Sequence, residues 1–439
     1  MRKPWIPACA GMTGWRPLHS PRTSRRIPLK IFYGWRISFA GAAIQFLLSS
    51  LLVQAFGAYV AVLSEQKGWS KTALAGGAAL QSVEGALLGP LLGWLVDRFG
   101  PRAMVQGGIV LLALGFLCFS QVDTMGGFYG AVLLIVVGGS FCGYFPFSVT
   151  LVHWFRQRRA RALSLMSFGL ALGGVSAPAV GWAMQTFGWQ HMATASGAIF
   201  LAGGLALARI VRRNPAEIGE TMDGLPPAPE NARSTADFSE APGFTPRQAL
   251  RTRAFWLLGF GHALALLVVT AVNVHAISHM KEDLGLSLAQ AGFVITLMTL
   301  SQAGGVLVGA AMGDRWDKRR VAAGCMLAHM AGLLMLTFAM HPVMLFAFAL
   351  LHGGAWGLRG PFMQALRADY FGVRAIGMIL GLSAVFVAAG QVVGPLVAGV
   401  LADLTGNYRI GFVVLALLAG SGTVLFLLAK KPALPVLAR

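Results

Sequence analysis

The chain has little charge. Asp, Glu, Lys and Arg together make up 12% of its 439 residues, and only 16 of these are acidic against 35 basic. Average soluble domains carry roughly 25% charged residues, so a water-soluble globular fold is excluded. Cysteine is also scarce. Cys9, Cys118, Cys142 and Cys325 show no paired spacing, and three of them lie in apolar stretches. A disulfide framework or a cysteine metal site is excluded, and the thiols read as buried small apolar residues. No Gly-x-x-x-x-Gly-Lys-Ser/Thr loop occurs, which removes the usual cradle for ATP phosphates. Polar segments between the apolar ones are short, which disfavours an enzyme or a sensor with its own extramembrane domain. The first 31 residues contain no apolar run of the length that a secretory signal needs.

What is present is hydrophobicity, at 56% of residues, and glycine, at 56 residues. Twelve apolar segments fall at about 35–63, 72–96, 103–121, 126–152, 161–186, 191–211, 254–279, 287–312, 320–340, 343–366, 375–401 and 409–429. Each is near or above the ~20 residues that span a bilayer as a helix. In lipid the backbone must satisfy its own hydrogen bonds, so the segments are expected to be helices. Glycine at this abundance suits helices that approach closely in lipid.

An even number of spans puts both termini on one side. The loops on that side hold 30 Lys and Arg, the opposite loops hold Lys67, Lys71, Lys281 and Arg409, and Arg359 lies inside a span. Positive loops stay inside, so both termini are expected in the cytoplasm of an inner-membrane protein. The basic balance is therefore orientation chemistry, and no nucleic-acid partner is expected. Residues 1–31 read as a disordered basic leader; the stretch Trp5 to Thr13 resembles translated non-coding repeat, which suggests a misassigned start. Residues 213–252, with Pro215, Pro226, Pro227, Pro229, Pro242 and Pro246 among acidic and hydroxyl residues, read as a partly disordered cytoplasmic linker. It separates six-helix halves at 32–212 and 253–430, and 431–439 form a cytoplasmic tail.

The halves repeat. An offset of 217 carries Asp97 and Arg98 onto Asp314 and Arg315, and Gly173 and Pro178 onto Gly390 and Pro395; an offset of 216 carries Phe155 and Arg158 onto Phe371 and Arg374. This implies two related halves about an axis along the membrane normal. Around the first of these positions, Gly93, Asp97, Arg98, Gly100 and Arg102 form a charged turn at the end of the second span. The stretch resembles the loop 2–3 signature of the major facilitator superfamily, with Pro101 where that family usually has Arg or Lys. The resemblance implies an all-α membrane fold of twelve helices and a gating role for this motif. The second copy keeps Asp314 and Arg315 but has Asp317, Lys318 and Arg319 in place of Gly100, Pro101 and Arg102. The eleventh span starts on the Asp97 side, and a helix N-terminus attracts a carboxylate, so Asp97 is expected to latch the halves together there.

Polar residues at membrane depth are functional candidates. They are Gln54 and Tyr59 on the first span, Glu84 on the second, Tyr144 on the fourth, His262, Asn273 and His275 on the seventh, and Arg359 on the tenth. Spans one, four, seven and ten line the cavity in the resembled fold. Arg359 is read as the group that takes a substrate carboxylate, because its planar fork matches two oxygens. His275, Asn273, Tyr144, Gln54 and Tyr59 are possible orienting groups, and Glu84 and His262 are candidates for proton coupling. Packing alternatives stand beside these readings: His262 as a helix-packing histidine, Tyr59 as an interfacial aromatic, and Glu84 as a structural carboxylate or a permanent partner of Arg359.

Tyr33, Gly34 and Trp35 open the first span, and Trp154 to Leu163 with Arg158 and Arg159 open the fifth. Together they resemble the monocarboxylate-transporter and oxalate/formate-antiporter branch of the superfamily, over residues 33–430. The resemblance implies transport of a small organic anion, often with a proton. Gln157 stands where that branch usually has Lys. Ser301 and Gly305 fall about where animal carriers have an Asp and Arg pair, and no Lys occupies the middle of the first or eleventh span. The expected protein is a secondary transporter, not an enzyme, acting as a monomer without a cofactor. A drug or metabolite exporter of the same fold and a non-transporting membrane sensor are the alternatives.

Overall fold

The structure, a computed structural model, describes residues 32–225 and 243–433. The proposed leader, the middle of the linker and the last six residues of the tail lie outside the described residues. Twelve helical passages follow one another in the described chain. They are α1 (Tyr33–Lys67), α2 (Lys71–Phe99), α3 (Pro101–Ser120), α4 (Met125–Trp154), α5 (Arg159–Gly173 continued as Ala177–Phe187), α6 (Trp189–Ala208), α7 (Arg253–Glu282), α8 (Leu288–Met312), α9 (Lys318–Thr337), α10 (Pro342–Phe371), α11 (Ile376–Thr405) and α12 (Arg409–Leu428). Among the described residues ten helices are long and apolar enough to cross a membrane, and α2 and the broken α5 complete the set by position and length. No strand forms among the described residues beyond one isolated bridge, Gly243 to Gly372.

Local chemistry sets the helix ends. Ser70, Thr252 and Ser287 each accept a hydrogen bond from a backbone N–H three residues on, and Gln290 returns a bond to the Ser287 N–H. Such bonds satisfy donors that a helix start leaves free. Gly100, at φ +81°, is a one-residue turn between α2 and α3, and Pro101 then supplies the first position of α3. A side chain would disfavour that φ, and proline is pre-set for that first position. The degraded second motif is still structured. Asp317 caps α9 by accepting from the N–H groups of Arg319 and Arg320.

Glycine sets the closest approaches. In one half a Cβ at Gly169 or Gly173 of α5 would run into Ala42 or Ser49 of α1; in the other, one at Gly390 or Gly394 of α11 would run into backbone at Ala263 or Leu267 of α7. Gly173 and Gly390 are the repeat-related pair, so the two halves use the same close crossing. Pro395 has no N–H for the carbonyl of Gln391, and the Thr270 hydroxyl of α7, shared with the Leu266 carbonyl at 2.8 Å, lies within donating distance of that oxygen at 3.1 Å. A proline inside a membrane helix is tolerated when a neighbour supplies such a partner.

Each half has its own apolar core, the first of which also takes in Phe362 and Ala365 of α10. A third, smaller cluster joins them at the Asp97 end, with Leu92, Val96, Met104, Val149 and Val152 from one half against Ala368, Val373, Ile376 and Leu380 from the other. The cysteine reading needs one correction. Cys142 and Cys325 are buried, but Cys118 on α3 is exposed on the outer surface of the bundle, where an apolar thiol costs little beside lipid.

Candidate functional site

A cavity of about 380 Å³ lies between the halves. Its wall draws Gln45 and Leu48 from α1, Leu92 from α2, Ser140 and Tyr144 from α4, Leu170 from α5, His262 from α7, Gln364 and Arg367 from α10, and Leu380 and Ser383 from α11. Tyr144 reaches it because α4 breaks at Gly143, where ψ is −146°, so the helix restarts at Tyr144.

The cation in this wall is Arg367. It is 2% exposed, and its Nη2 donates to Nδ1 of His262 at 3.1 Å. That bond requires a lone pair on Nδ1, so the His262 proton sits on Nε2. The wall contains no carboxylate. Arg367 therefore brings a positive charge and free guanidinium N–H groups to a largely apolar chamber. Arginine suits planar anions because its donors form a rigid fork.

The structure brings Tyr144 and His262 together in this wall and leaves the other expected contacts outside it. Arg359 does not line the cavity. Eight residues from Arg367 along a helix correspond to a turn of about 80° and a rise of about 12 Å. This rotation directs Arg359 into the α9–α10 contact, where its charge acts on Cys325 and His329 of α9 and on His352 of α10, and it is still felt by His262 and Arg367 of the cavity wall. Glu84 is not its partner. Glu84 is buried in the other half and accepts from the Ser140 hydroxyl at 2.9 Å, leaving Oε1 unbonded. Because Ser140 lines the cavity, Glu84 stands one hydroxyl behind its wall. Tyr59 is buried within the first half, edge-on to Phe119 at 5.0 Å, beside a separate apolar cavity of about 200 Å³. Gln54 and Asn273 are exposed and do not line the central cavity. His275 hydrogen-bonds the carbonyl of Pro395 through Nε2 at 3.0 Å, which places it in the α7–α11 crossing.

The charged turns meet the partner half at one end of the cavity. Asp97 Oδ2 accepts from the Met378 N–H, in the first turn of α11, at 3.0 Å. The repeat-related Asp314 accepts from the Ala160 N–H, in the first turn of α5, at 3.0 and 3.2 Å. Each carboxylate faces the positive end of a helix from the other half. The second contact is reinforced by a chain of ion pairs: Asp314 to Lys318 at 2.9 Å, Lys318 to Asp369 at 2.8 Å, and Asp369 to Arg159 at 2.9 Å. Arg213, from the start of the linker, donates to the Asp97 carbonyl at 2.6 Å. Arg98 instead lies over the rings of Trp94 and Phe99 at 5.7 and 5.8 Å. Next to the Asp97 contact, a Cβ on Gly93 would meet the Gly377 carbonyl oxygen at 2.5 Å, and one on Gly89 would meet that of Gly381 at 2.7 Å. Helices α2 and α11 are thus in backbone contact for more than a turn. Arg102 and Arg315 make no ion pair among the described residues.

The linker ends are tied to the same face. Asp223 accepts from the N–H groups of Arg156 and Gln157, both at 2.9 Å, and the Phe244 N–H donates to the Phe371 carbonyl at 2.9 Å. These end segments of the linker pack on the bundle.

Comparison with known proteins agrees with this architecture. The family model described as Major Facilitator Superfamily matches residues 38–276 and 258–438. A monocarboxylate transporter 13 of Bos taurus is 27% identical, over 76% of this chain and 75% of its own length. A monocarboxylate transporter 11 of Homo sapiens is 25% identical, over 90% and 82%. Among solved structures, the human organic anion transporter MFSD10 superposes with a TM-score of 0.68 at 17% identity, covering 90% of this chain and 99% of that one. At this identity the superposition speaks for the fold alone.

Proposed function

The chain belongs to the Major Facilitator Superfamily, and from that premise we propose that it carries a small organic carboxylate across the cytoplasmic membrane by alternating access. The observation that carries the substrate class is Arg367, a buried guanidinium bonded to a neutral histidine in an interhalf cavity whose wall has no acidic residue. A substrate carboxylate compensates that charge and receives two parallel hydrogen bonds, a pairing stronger than neutral contacts. Arg367 takes the role that the sequence suggested for Arg359. His262 Nε2–H and the Tyr144 hydroxyl are the neighbouring donors that would orient the anion. The names of the similar transporters, monocarboxylate carriers of two mammals, point to the same class.

Asp97 and Asp314 act as paired latches. With both termini in the cytoplasm, as the lysine and arginine distribution argues, the latched face is the cytoplasmic one. Opening it requires the carboxylates to leave the helix starts of α11 and α5, while the glycine-lined α2–α11 contact separates. Glu84, behind Ser140, is the carboxyl placed to exchange a proton with the cavity.

The test is thermal stabilisation of the purified protein by carboxylates, sugars, amino acids and cationic drugs. Carboxylates should raise the melting temperature, and Arg367→Gln should remove that response while the unliganded protein stays folded. Stabilisation by cationic drugs alone would favour the export reading and end this one.

A further inference from the structure

The second buried arginine is not used by this transport site. Arg359 is 1% exposed and sits at position 18 of the 30 residues of α10. Its Nε and Nη1 have no hydrogen-bond partner among the described residues. Beside it are two fully buried histidines. His352 lies seven residues back on α10, within about 20° of the same face. His329 of α9 meets His352 through their Nδ1 atoms at 3.1 Å, with ring centroids 4.6 Å apart. The Nε2 atoms of both rings are buried and unpartnered. A bond between two Nδ1 atoms needs one donor and one lone pair. The accepting ring then keeps its proton on Nε2, which adds a buried N–H to those of Arg359.

This cluster has donors and positive charge but no acid. The described carboxylates of this half, Glu282, Asp283, Asp314, Asp317, Asp369 and Asp403, all lie in loops or within a turn or so of a helix end, far from the middle of α10. Glu84 is in the other half and bonded to Ser140. Arginine stays charged at any physiological pH, and an unpaired buried charge is strongly unfavourable. Water would satisfy the N–H groups but would leave the charge uncompensated. None of the three residues lines one of the cavities described, and α9 and α10 are close here, which favours a small anion over an organic acid. His352 is pressed against α9, where a Cβ on Gly332 would lie only 3.3 Å from its Cβ and backbone nitrogen.

We propose that Arg359, His352 and His329 form a buried site for a small monovalent inorganic anion of the halide class, separate from the transport cavity and within one half. The anion accepts from the Arg359 N–H groups and from the free imidazole N–H, and it ties α9 to α10. This does not depend on the substrate reading, because it needs neither Arg367 nor transport.

The experiment measures the melting temperature of the purified protein in sodium chloride, sodium bromide and sodium gluconate at equal ionic strength. Chloride and bromide should give a saturable rise over gluconate. Arg359→Gln should abolish the rise, and Arg367→Gln should keep it. Equal melting temperatures in all three salts would overturn the site, as would a halide response that survives Arg359→Gln. Loss of the response in Arg367→Gln as well would place the anion in the transport cavity and overturn a separate site. Should Arg359→Gln not fold, bromide anomalous scattering from the wild-type protein decides: a peak beside Arg359 supports the site, and no peak there refutes it. A substrate response that persists without a halide response would sink this site and leave the transport reading intact.

Discussion

Replacing Asp97 with Asn tests the latch without disturbing its shape. Asp97 Oδ2 accepts from the Met378 N–H at 3.0 Å, at the start of a 30-residue helix. Asn keeps an oxygen acceptor but loses the charge that faces the helix N-terminus. A partly buried charge in such a position contributes about 1–2 kcal/mol. That amount changes a two-state ratio by roughly 5–30-fold. The repeat-related latch at Asp314, with its chain of ion pairs, remains, so the protein should still fold and close. The readout is a cysteine at Ala368, a position 2% exposed in the apolar cluster that joins the halves beside the latch. Its labelling rate by a membrane-impermeant maleimide in inside-out vesicles reports how often that face opens. Asp97→Asn should raise the rate by roughly the same 5–30-fold while expression is kept and turnover falls. An unchanged labelling rate with wild-type turnover would refute the latch.

Arg367→Lys keeps the charge and loses the fork, so affinity for the carboxylate should fall about tenfold, the equivalent of roughly 1.4 kcal/mol, with protein level held; equal affinity in a binding titration would argue against a bidentate contact. Gly381→Val should trap the carrier away from the latched state, because its backbone faces Gly89 with no room for a side chain; Ala368→Cys labelling should then be high in this variant too, and low labelling would contradict a close α2–α11 contact. Glu84→Gln should leave substrate exchange intact but remove proton-driven accumulation; if accumulation is kept, Glu84 is not the coupling group. A cysteine introduced within residues 223–240 should react with impermeant reagents from the cytoplasmic side only, and labelling in intact cells would reverse the topology.

The fold was legible because its signals are long and redundant. Twelve apolar stretches, a loop charge bias and a repeat offset of 217 residues each point to the same architecture. The repeat has a physical counterpart in the Asp97–Met378 and Asp314–Ala160 contacts, in which repeat-related aspartates meet the first turns of α11 and α5 in opposite halves. The site was less legible, because hydropathy locates a span but not the rotation of its helix. The apolar run of the tenth span stops near residue 366, so by sequence Arg367 reads as a loop cation on the positive side. In the folded protein α10 continues to Phe371, and Arg367 is buried against His262 by the apposed half. Arg359 lies deeper in the apolar run, which made it the conspicuous charge. Its azimuth turns it into the α9–α10 contact, and azimuth depends on tertiary packing that hydropathy and residue spacing do not display. For the same reason hydropathy does not separate Gln45, which lines the cavity, from Gln54 on the same helix, which does not. Five residues of π-helix, Ser49–Val53, separate the two glutamines and shift the faces after them. A wider helical turn adds one residue to the repeat, so a spacing rule drawn from 3.6 residues per turn fails across it. Two of the sequence candidates, Tyr144 and His262, do line the cavity; they lie in helices without a π segment, on faces that a break at Gly143 or a bond to Arg367 fixes directly.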